Sequence, residues 1–120
     1  MAVSYDRKLP EDLDCGITVF MKLLGAKWKP CILDAISRGY RRPTEIHKQI
    51  PTAMPRVIDM QLRELEAAGL LAKTVVIGYP LRVDYFLTTT GLSIMPLIAM
   101  MDKWGTENKA LVRTEEPVSA

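Results

Sequence analysis

One stretch, residues 52–87, limits the fold of this 120-residue chain more than any other. It opens with an amphipathic helix that begins at Pro55 and ends at Gly69, residue types that suit those two helix ends. A β-branched and apolar run follows over residues 70–77, and a second run with partial alternation covers residues 82–87. This order predicts a helix followed by a β-hairpin.

Three shorter helices are predicted ahead of this stretch, because apolar residues recur there at helical spacing. Gly25, Gly39 and Pro51 mark their ends. The third begins near Pro43, so a short helix, a link over residues 52–54 and a longer helix form a helix-turn-helix. With the hairpin added, the predicted fold is a winged helix-turn-helix, mainly α with a small antiparallel β-hairpin.

A final helix is predicted after the hairpin, whose four-residue tip covers residues 78–81. Residues 88–91 offer a hydroxyl N-cap, and Pro96 is expected to bend this helix or to mark its start. Its apolar face, together with the apolar first helix, exceeds what one small core needs and predicts a homodimer interface. The residues predicted to form this interface are Ile17, Phe20, Ile94, Leu97, Ile98, Met101 and Trp104.

The fourth helix has a predicted outward face, taken at about 100° per residue. Arg56, Met60 and Arg63 lie on this face, opposite the apolar stripe, and Asp59 flanks them. The N-terminal half of such a helix is the part that contacts base edges when it enters a DNA groove. The residues predicted to contact DNA are Arg42, Lys48, Arg56, Asp59, Met60, Arg63, Lys73 and Arg82.

Each of these cations has a plainer interpretation as part of a solvated surface. Arg63 stands four residues after Asp59 and three before Glu66, which is helical ion-pairing spacing. Arg82 stands two residues from Asp84, so it is predicted either to contact DNA or to pair with that carboxylate.

Composition and the chain ends set weaker limits. The net charge of +2 neither requires nor excludes a nucleic-acid partner. The N-terminus lacks the apolar core of a signal peptide, and the apolar run over residues 92–101 is short and broken by proline, so no membrane span is expected. We predict a cytoplasmic protein with one domain over residues 14–106, a flexible arm over 1–13 and a loose tail over 107–120.

Two cysteines and one histidine are the candidates for thiol, metal or catalytic chemistry. Cys15 lies near a helix N-terminus with Asp14 as N-cap; the helix favours a thiolate, whereas nearby carboxylates oppose it. A role of Cys15 as a thiol sensor is therefore kept as an alternative, and an unreactive buried thiol is the favoured interpretation. Cys31 shares a face with apolar residues and is predicted to be core. His47 has no carboxylate partner in the sequence, so no catalytic site, metal site or cofactor is expected.

Several short sequence motifs lie between about Cys15 and Gly105 and bear on the fold and the function of the chain. They are Gly25-Ala26-Lys27-Trp28, Pro55-Arg56-Val57-Ile58, Leu62-Arg63-Glu64-Leu65-Glu66, Arg82-Val83-Asp84-Tyr85 and Trp104-Gly105. In this order and spacing they resemble the HxlR-type winged-helix transcriptional regulators of bacteria, which are relatives of the MarR type.

The resemblance implies a small cytoplasmic homodimer, built through the first and last helices, that binds double-stranded operator DNA. It also implies that the fourth helix reads the major groove while the wing touches the adjacent backbone or minor groove. Several family members sense electrophiles or oxidants through the cysteine that Cys15 matches, and a small effector between the dimer helices is an alternative. The rival prediction is a protein-interaction module without DNA binding, motivated by Asp59, Met60 and the even charge balance of residues 54–85.

The chain departs from the family's pattern in the reading segment. Asp59, Met60 and Gln61 stand where the family usually has Thr-Gln-Arg, and Met54 replaces the Ser or Thr that caps the fourth helix. Loss of that cap costs about 1 kcal/mol if nothing replaces it. Because Asp59 repels phosphate but can accept a hydrogen bond from cytosine, the operator is expected to differ from those of relatives.

Overall fold

The computed structural model describes residues 13–113, which form six helices and one two-stranded antiparallel sheet. In chain order the elements are α1 (Gly16–Leu24), α2 (Lys29–Ser37), α3 (Pro43–Gln49), α4 (Pro55–Ala67), β1 (Leu71–Val76), β2 (Arg82–Leu87), α5 (Thr89–Glu107) and α6 (Ala110–Arg113). This arrangement confirms the predicted class, a mainly helical winged helix-turn-helix.

Prolines and glycines fix the ends of the central helices. Pro30, Pro43 and Pro55 stand in the first turns of α2, α3 and α4, where a missing backbone N–H leaves no helical hydrogen bond unmade. Gly39 and Gly69 follow α2 and α4 with φ values of +106° and +86°. Glycine adopts these left-handed values without steric penalty, so the predicted boundaries of both helices are confirmed.

The core lies where α2, α3, α4 and α5 meet the base of the hairpin. The predicted stripe of α4, Ile58, Leu62 and Leu65, is fully buried. It packs within one cluster that also holds Ile46 of α3 and Ile32 of α2. Because this stripe faces inward, the opposite face of α4 is turned to solvent.

The hairpin forms a wing that leaves the core at its base. Its register runs from the Leu71–Leu87 pair to the Val76–Arg82 pair. The tip therefore covers residues 77–81, one residue more than predicted, because Ile77 lies outside the ladder. Only the first residue of β1 is buried, so the rest of this strand is exposed.

The start of α5 is tied to the end of α4. The Thr88 hydroxyl accepts a hydrogen bond from the Gly91 N–H at 3.0 Å and donates one to the Gly69 carbonyl at 2.7 Å. This confirms the predicted hydroxyl cap. Gly91 is buried, and a Cβ added there would overlap the Leu70 carbonyl oxygen. Glycine at this position therefore lets α5 approach the chain that leads into the wing.

Three sequence predictions about helix faces and ends are wrong. Cys31 is exposed rather than core, because α2 buries the face that carries Ile32 and Ile36. Ile94 and Ile98 were expected at a dimer interface, but they are 9% and 4% exposed and belong to the core of one protomer. Cys15 rather than Asp14 occupies the N-cap of α1.

Helical structure continues past residue 106, since α5 reaches Glu107 and α6 ends at Arg113. The rest of the predicted tail, residues 114–120, and residues 1–12 of the predicted arm lie outside the described residues. Between residues 13 and 113, the helices are too short or too polar to cross a membrane.

Gly91→Ala is expected to lower the free energy of unfolding by about 1–3 kcal/mol, since the added methyl group forces the backbone of α5 away from Leu70. Gly105→Ala is the matched control in the same helix, because no described atom lies within 4 Å of a Cβ added there. That variant should be as stable as the wild type or more stable, by up to about 1 kcal/mol. Urea unfolding followed by circular dichroism measures both; equal effects would contradict the close approach at Gly91.

Candidate nucleic-acid interface

The outward face of α4 carries the side chains that the sequence placed there. Arg56, Met60 and Arg63 are all exposed. Met54 occupies the N-cap position and makes no side-chain capping bond, as expected from its residue type. The N-terminal half of α4 therefore presents two guanidinium groups and one thioether to solvent.

Acidic side chains on or next to this face contact basic side chains. The contacts are Lys29 Nζ–Glu64 Oε1 at 3.0 Å, Lys73 Nζ–Glu66 Oε1 at 3.7 Å, Arg82 Nη2–Asp84 Oδ2 at 3.3 Å and His47 Nε2–Asp59 Oδ1 at 2.7 Å. Lys29 and His47 come from outside residues 54–85. Counting the charges of residues 54–85 alone therefore misses two contacts. Two of the four acids in that segment, Glu64 and Asp59, contact Lys29 and His47, which lie outside it.

Arg56 and Arg63 have no ion pair or hydrogen bond to a carboxylate within residues 13–113, and neither does Lys48 of α3. A guanidinium group without an internal partner keeps all its N–H donors for a ligand. Phosphate oxygens and the guanine edge are the acceptors that arginine contacts most often in DNA complexes. The reading face thus has a net positive charge at the position where a DNA groove would lie.

Three cations in or beside the wing have acidic neighbours. Arg82 pairs with Asp84, which was the structural alternative predicted for it, and Arg42 Nε lies 4.0 Å from the other oxygen of the same carboxylate. Lys73 pairs with Glu66. Since the side chains of Arg42 and Arg82 are 47% and 43% exposed, both keep donors that face solvent. Their contact with DNA stays a prediction.

Gln61 was grouped with Asp59 and Met60 as a reading residue, and its position corrects that grouping. It is 6% exposed and lies in the core side of α4. Its Oε1 atom is buried without a hydrogen-bond partner among the described residues. Gln61 is therefore not available to contact a base.

His47 and Asp59 join the two helices of the helix-turn-helix. Their 2.7 Å contact is half-buried, with side chains that are 20% and 41% exposed. The expectation that His47 has no carboxylate partner is therefore wrong. The two residues are 12 positions apart, so sequence spacing alone carried no signal for the pair.

The two thiols lie in different electrostatic surroundings. Hydrogen bonding from the Thr18 backbone N–H, with smaller effects of the Thr18 side chain and the Ile17 N–H, lowers the pKa of Cys15. Although Cys31 is an exposed residue, partial desolvation by the protein around its thiol raises the pKa of Cys31, and the nearby carboxylates of Asp34 and Asp102 raise it further. Both thiols are free. The thiolate, which is the reactive form, is therefore favoured at Cys15 and disfavoured at Cys31.

Alkylation by iodoacetamide is expected to label Cys15 faster than Cys31 at neutral pH. The rate at Cys15 should rise through an inflection at lower pH than that of a free cysteine, and the rate at Cys31 through one at higher pH. Mass spectrometry of the Cys15→Ser and Cys31→Ser variants measures each thiol separately. Equal rates and equal inflections would contradict the difference between the two environments.

A second exposed surface lies between α1 and α5. Trp104, Leu97 and Ile17 are 62%, 50% and 76% exposed, although they are large and apolar. They line one groove together with Gly16, Phe20, Met100 and Met101. A groove of this kind on a small domain is typical of an interaction surface.

A helix-turn-helix followed by a β-wing, with a basic outward face on the second helix, defines the winged helix-turn-helix class of DNA-binding proteins. Within that class, this chain belongs to the HxlR-like helix-turn-helix family, whose model matches residues 23–112. The family expected from the sequence motifs is therefore confirmed. Its members are transcriptional regulators rather than enzymes.

Individual relatives agree with this assignment. The chain is 36% identical over 91 residues to an uncharacterized HTH-type transcriptional regulator of Methanothermobacter thermautotrophicus, covering 76% of this chain and 70% of the relative. It is 30% identical over 105 residues to the HTH-type regulator YybR of Bacillus subtilis, covering 88% and 84%. The redox regulator HypR in its reduced form superposes with a TM-score of 0.76 at 29% identity, covering 83% of this chain and 99% of HypR.

Proposed function

We propose that this protein binds a pseudo-palindromic operator as a homodimer and regulates the transcription of nearby genes. The observation that carries the proposal is the charge arrangement on α4. Arg56 and Arg63 are exposed and unpaired in the described part of the chain, whereas Glu64 and Glu66 each pair with a lysine and the Asp59 carboxylate contacts His47. The helix therefore offers DNA two free cations and few free acids.

In this proposal two kinds of contact contribute to DNA binding. Phosphate contacts from Arg42, Lys48, Lys73 and Arg82 supply affinity and a steep salt dependence. Side chains in the N-terminal half of α4, chiefly Arg56, Met60 and Arg63, supply base recognition. Met60 suits an apolar contact with a thymine methyl group.

The Arg56→Ala/Arg63→Ala double variant is expected to bind at least about tenfold more weakly to a fluorescent duplex selected from a random pool by the wild type. The slope of log K against log salt should fall by about one for each arginine that contacts a phosphate. Arg38→Ala is the matched control, because Arg38 is an exposed arginine on α2 that pairs with Asp34. Thermal unfolding should be unchanged, and wild-type affinity in the double variant would remove these arginines from the interface.

The groove between α1 and α5 supports the homodimer. A symmetric dimer that joins these helices would bury the exposed apolar side chains of both protomers. It would also set the distance between the two copies of α4, which must lie about 34 Å apart to enter successive faces of the major groove. Dimerisation and DNA reading are therefore linked through α5.

Leu97→Glu is expected to shift the protein to monomers, because it places two charges in the apolar contact of a symmetric dimer. Leu92→Glu is the control: Leu92 is a similarly exposed leucine of α5, but it does not line the groove. Sedimentation velocity at micromolar concentration measures both variants against the wild type. A monomeric wild type, or a dimer that persists with Leu97→Glu, would contradict this interface.

A thiol signal at Cys15 is the input that the local chemistry supports best. Hydrogen bonds to backbone N–H groups lower the pKa of this thiol, and the chain is similar in structure to a protein described as a redox regulator. Cys15 directly precedes α1, so oxidation or alkylation there would act on the proposed dimer surface.

The rival function, a protein-interaction module without DNA binding, is motivated by Asp59, Met60 and the charge balance of residues 54–85. The ion pair of Glu64 with Lys29 and the contact of Asp59 with His47 weaken the charge-balance part of that motive. Fluorescence titration with fragmented genomic DNA at low and high salt separates the two functions. No binding at low salt would favour the rival.

A further inference from the structure

Two side chains lie where they could contact the Asp59 carboxylate, Arg63 and His47. Arg63 stands four residues later on the same helix, which is the spacing at which carboxylate and guanidinium groups pair along a helix. His47 approaches from α3 across the turn of the helix-turn-helix. Only one of these contacts is present, His47 Nε2 to Asp59 Oδ1 at 2.7 Å, while Arg63 has no acidic partner in the part of the chain that the structure describes.

Packing holds the histidine in place for this contact. Ile46, the residue before His47, and Ile58, the residue before Asp59, are both fully buried in the same cluster. The backbones that carry the two polar side chains are therefore fixed relative to each other. His47 is also more buried than Asp59, at 20% against 41% side-chain exposure.

We propose that His47 is a positioning residue of the DNA interface: by holding the Asp59 carboxylate, it keeps Arg63 free to contact DNA. The inference rests on the proposed DNA-binding function and assigns one residue within it. Without His47, Asp59 turns to Arg63 and neutralises it. The reading face then loses a cation and keeps a carboxylate in the groove, where phosphate repels it.

The contact with His47 also explains why a DNA-reading helix can carry an aspartate, Asp59. An aspartate whose carboxylate is held by a side chain of the preceding helix is less free to turn toward the phosphates. The second carboxylate oxygen stays available to a base amino group such as that of cytosine. The acid is thus tolerated because its partner lies outside α4.

The test compares the wild type with His47→Ala, Asp59→Ala and the double variant on one fluorescent duplex that the wild type selects from a random pool. His47→Ala is expected to bind about tenfold more weakly, because the Arg63 cation of the reading face is neutralised, and to lose about one unit of salt slope where Arg63 also contacts a phosphate. The double variant should bind as well as Asp59→Ala alone, because the acid that captures Arg63 is gone. In an Arg63→Ala background, His47→Ala should have no further effect.

His47→Gln serves as the conservative variant, because its amide can also donate to Asp59. It is expected to keep wild-type affinity and salt slope. A purely structural role predicts a different pattern: His47→Ala would weaken binding equally with and without Asp59 and would lower the thermal midpoint in both. That pattern, or wild-type affinity in His47→Ala, would overturn the inference.

The two proposals fail in different ways. Absence of wild-type binding to any duplex at low salt overturns the DNA-binding function and this inference together. Wild-type binding that depends on Arg56 and Arg63 but not on His47 overturns the inference alone. Rescue of His47→Ala by Asp59→Ala supports both.

Discussion

The buried stripe of α4 is the contact on which the rest of the structure depends. Ile58, Leu62 and Leu65 each contribute about 1.5–3 kcal/mol by leaving water, and their packing within the shared core fixes the rotation of α4. A helix that buries one stripe must expose the opposite one, so this apolar packing also decides which polar residues can reach a DNA groove. Stability and reading geometry therefore have the same origin.

Polar contacts between α4 and the neighbouring elements add to this apolar packing. The pairs Lys29–Glu64, His47–Asp59 and Lys73–Glu66 connect α4 to α2, α3 and β1 in turn. In each pair the more exposed side chain is 39–49% exposed, so each pair adds little to stability. Their larger effect is on the surface: the acids of α4 contact side chains from other elements, and the arginines of its outward face are left unpaired.

Local patterns predicted the elements because their causes are local. Pro55, Gly69 and Thr88 act within a few residues, and the α4 stripe follows from helical spacing. The environments of Gln61 and Cys31 were predicted wrongly, because burial depends on which neighbours surround a helix. Gln61 is buried in the core although it is polar, and Cys31 is exposed although it was predicted to lie on an apolar helix face. The His47–Asp59 pair joins two helices across a turn, so no local pattern revealed it.

In the function that we propose, two copies of α4, held by a dimer, read DNA together. Hydroxyl-radical footprinting on a duplex selected from a random pool checks this arrangement. We expect two protected patches related by a pseudo-two-fold axis and centred about 34 Å apart, or one helical turn. A single patch without symmetry, or no protection at low salt, would contradict it.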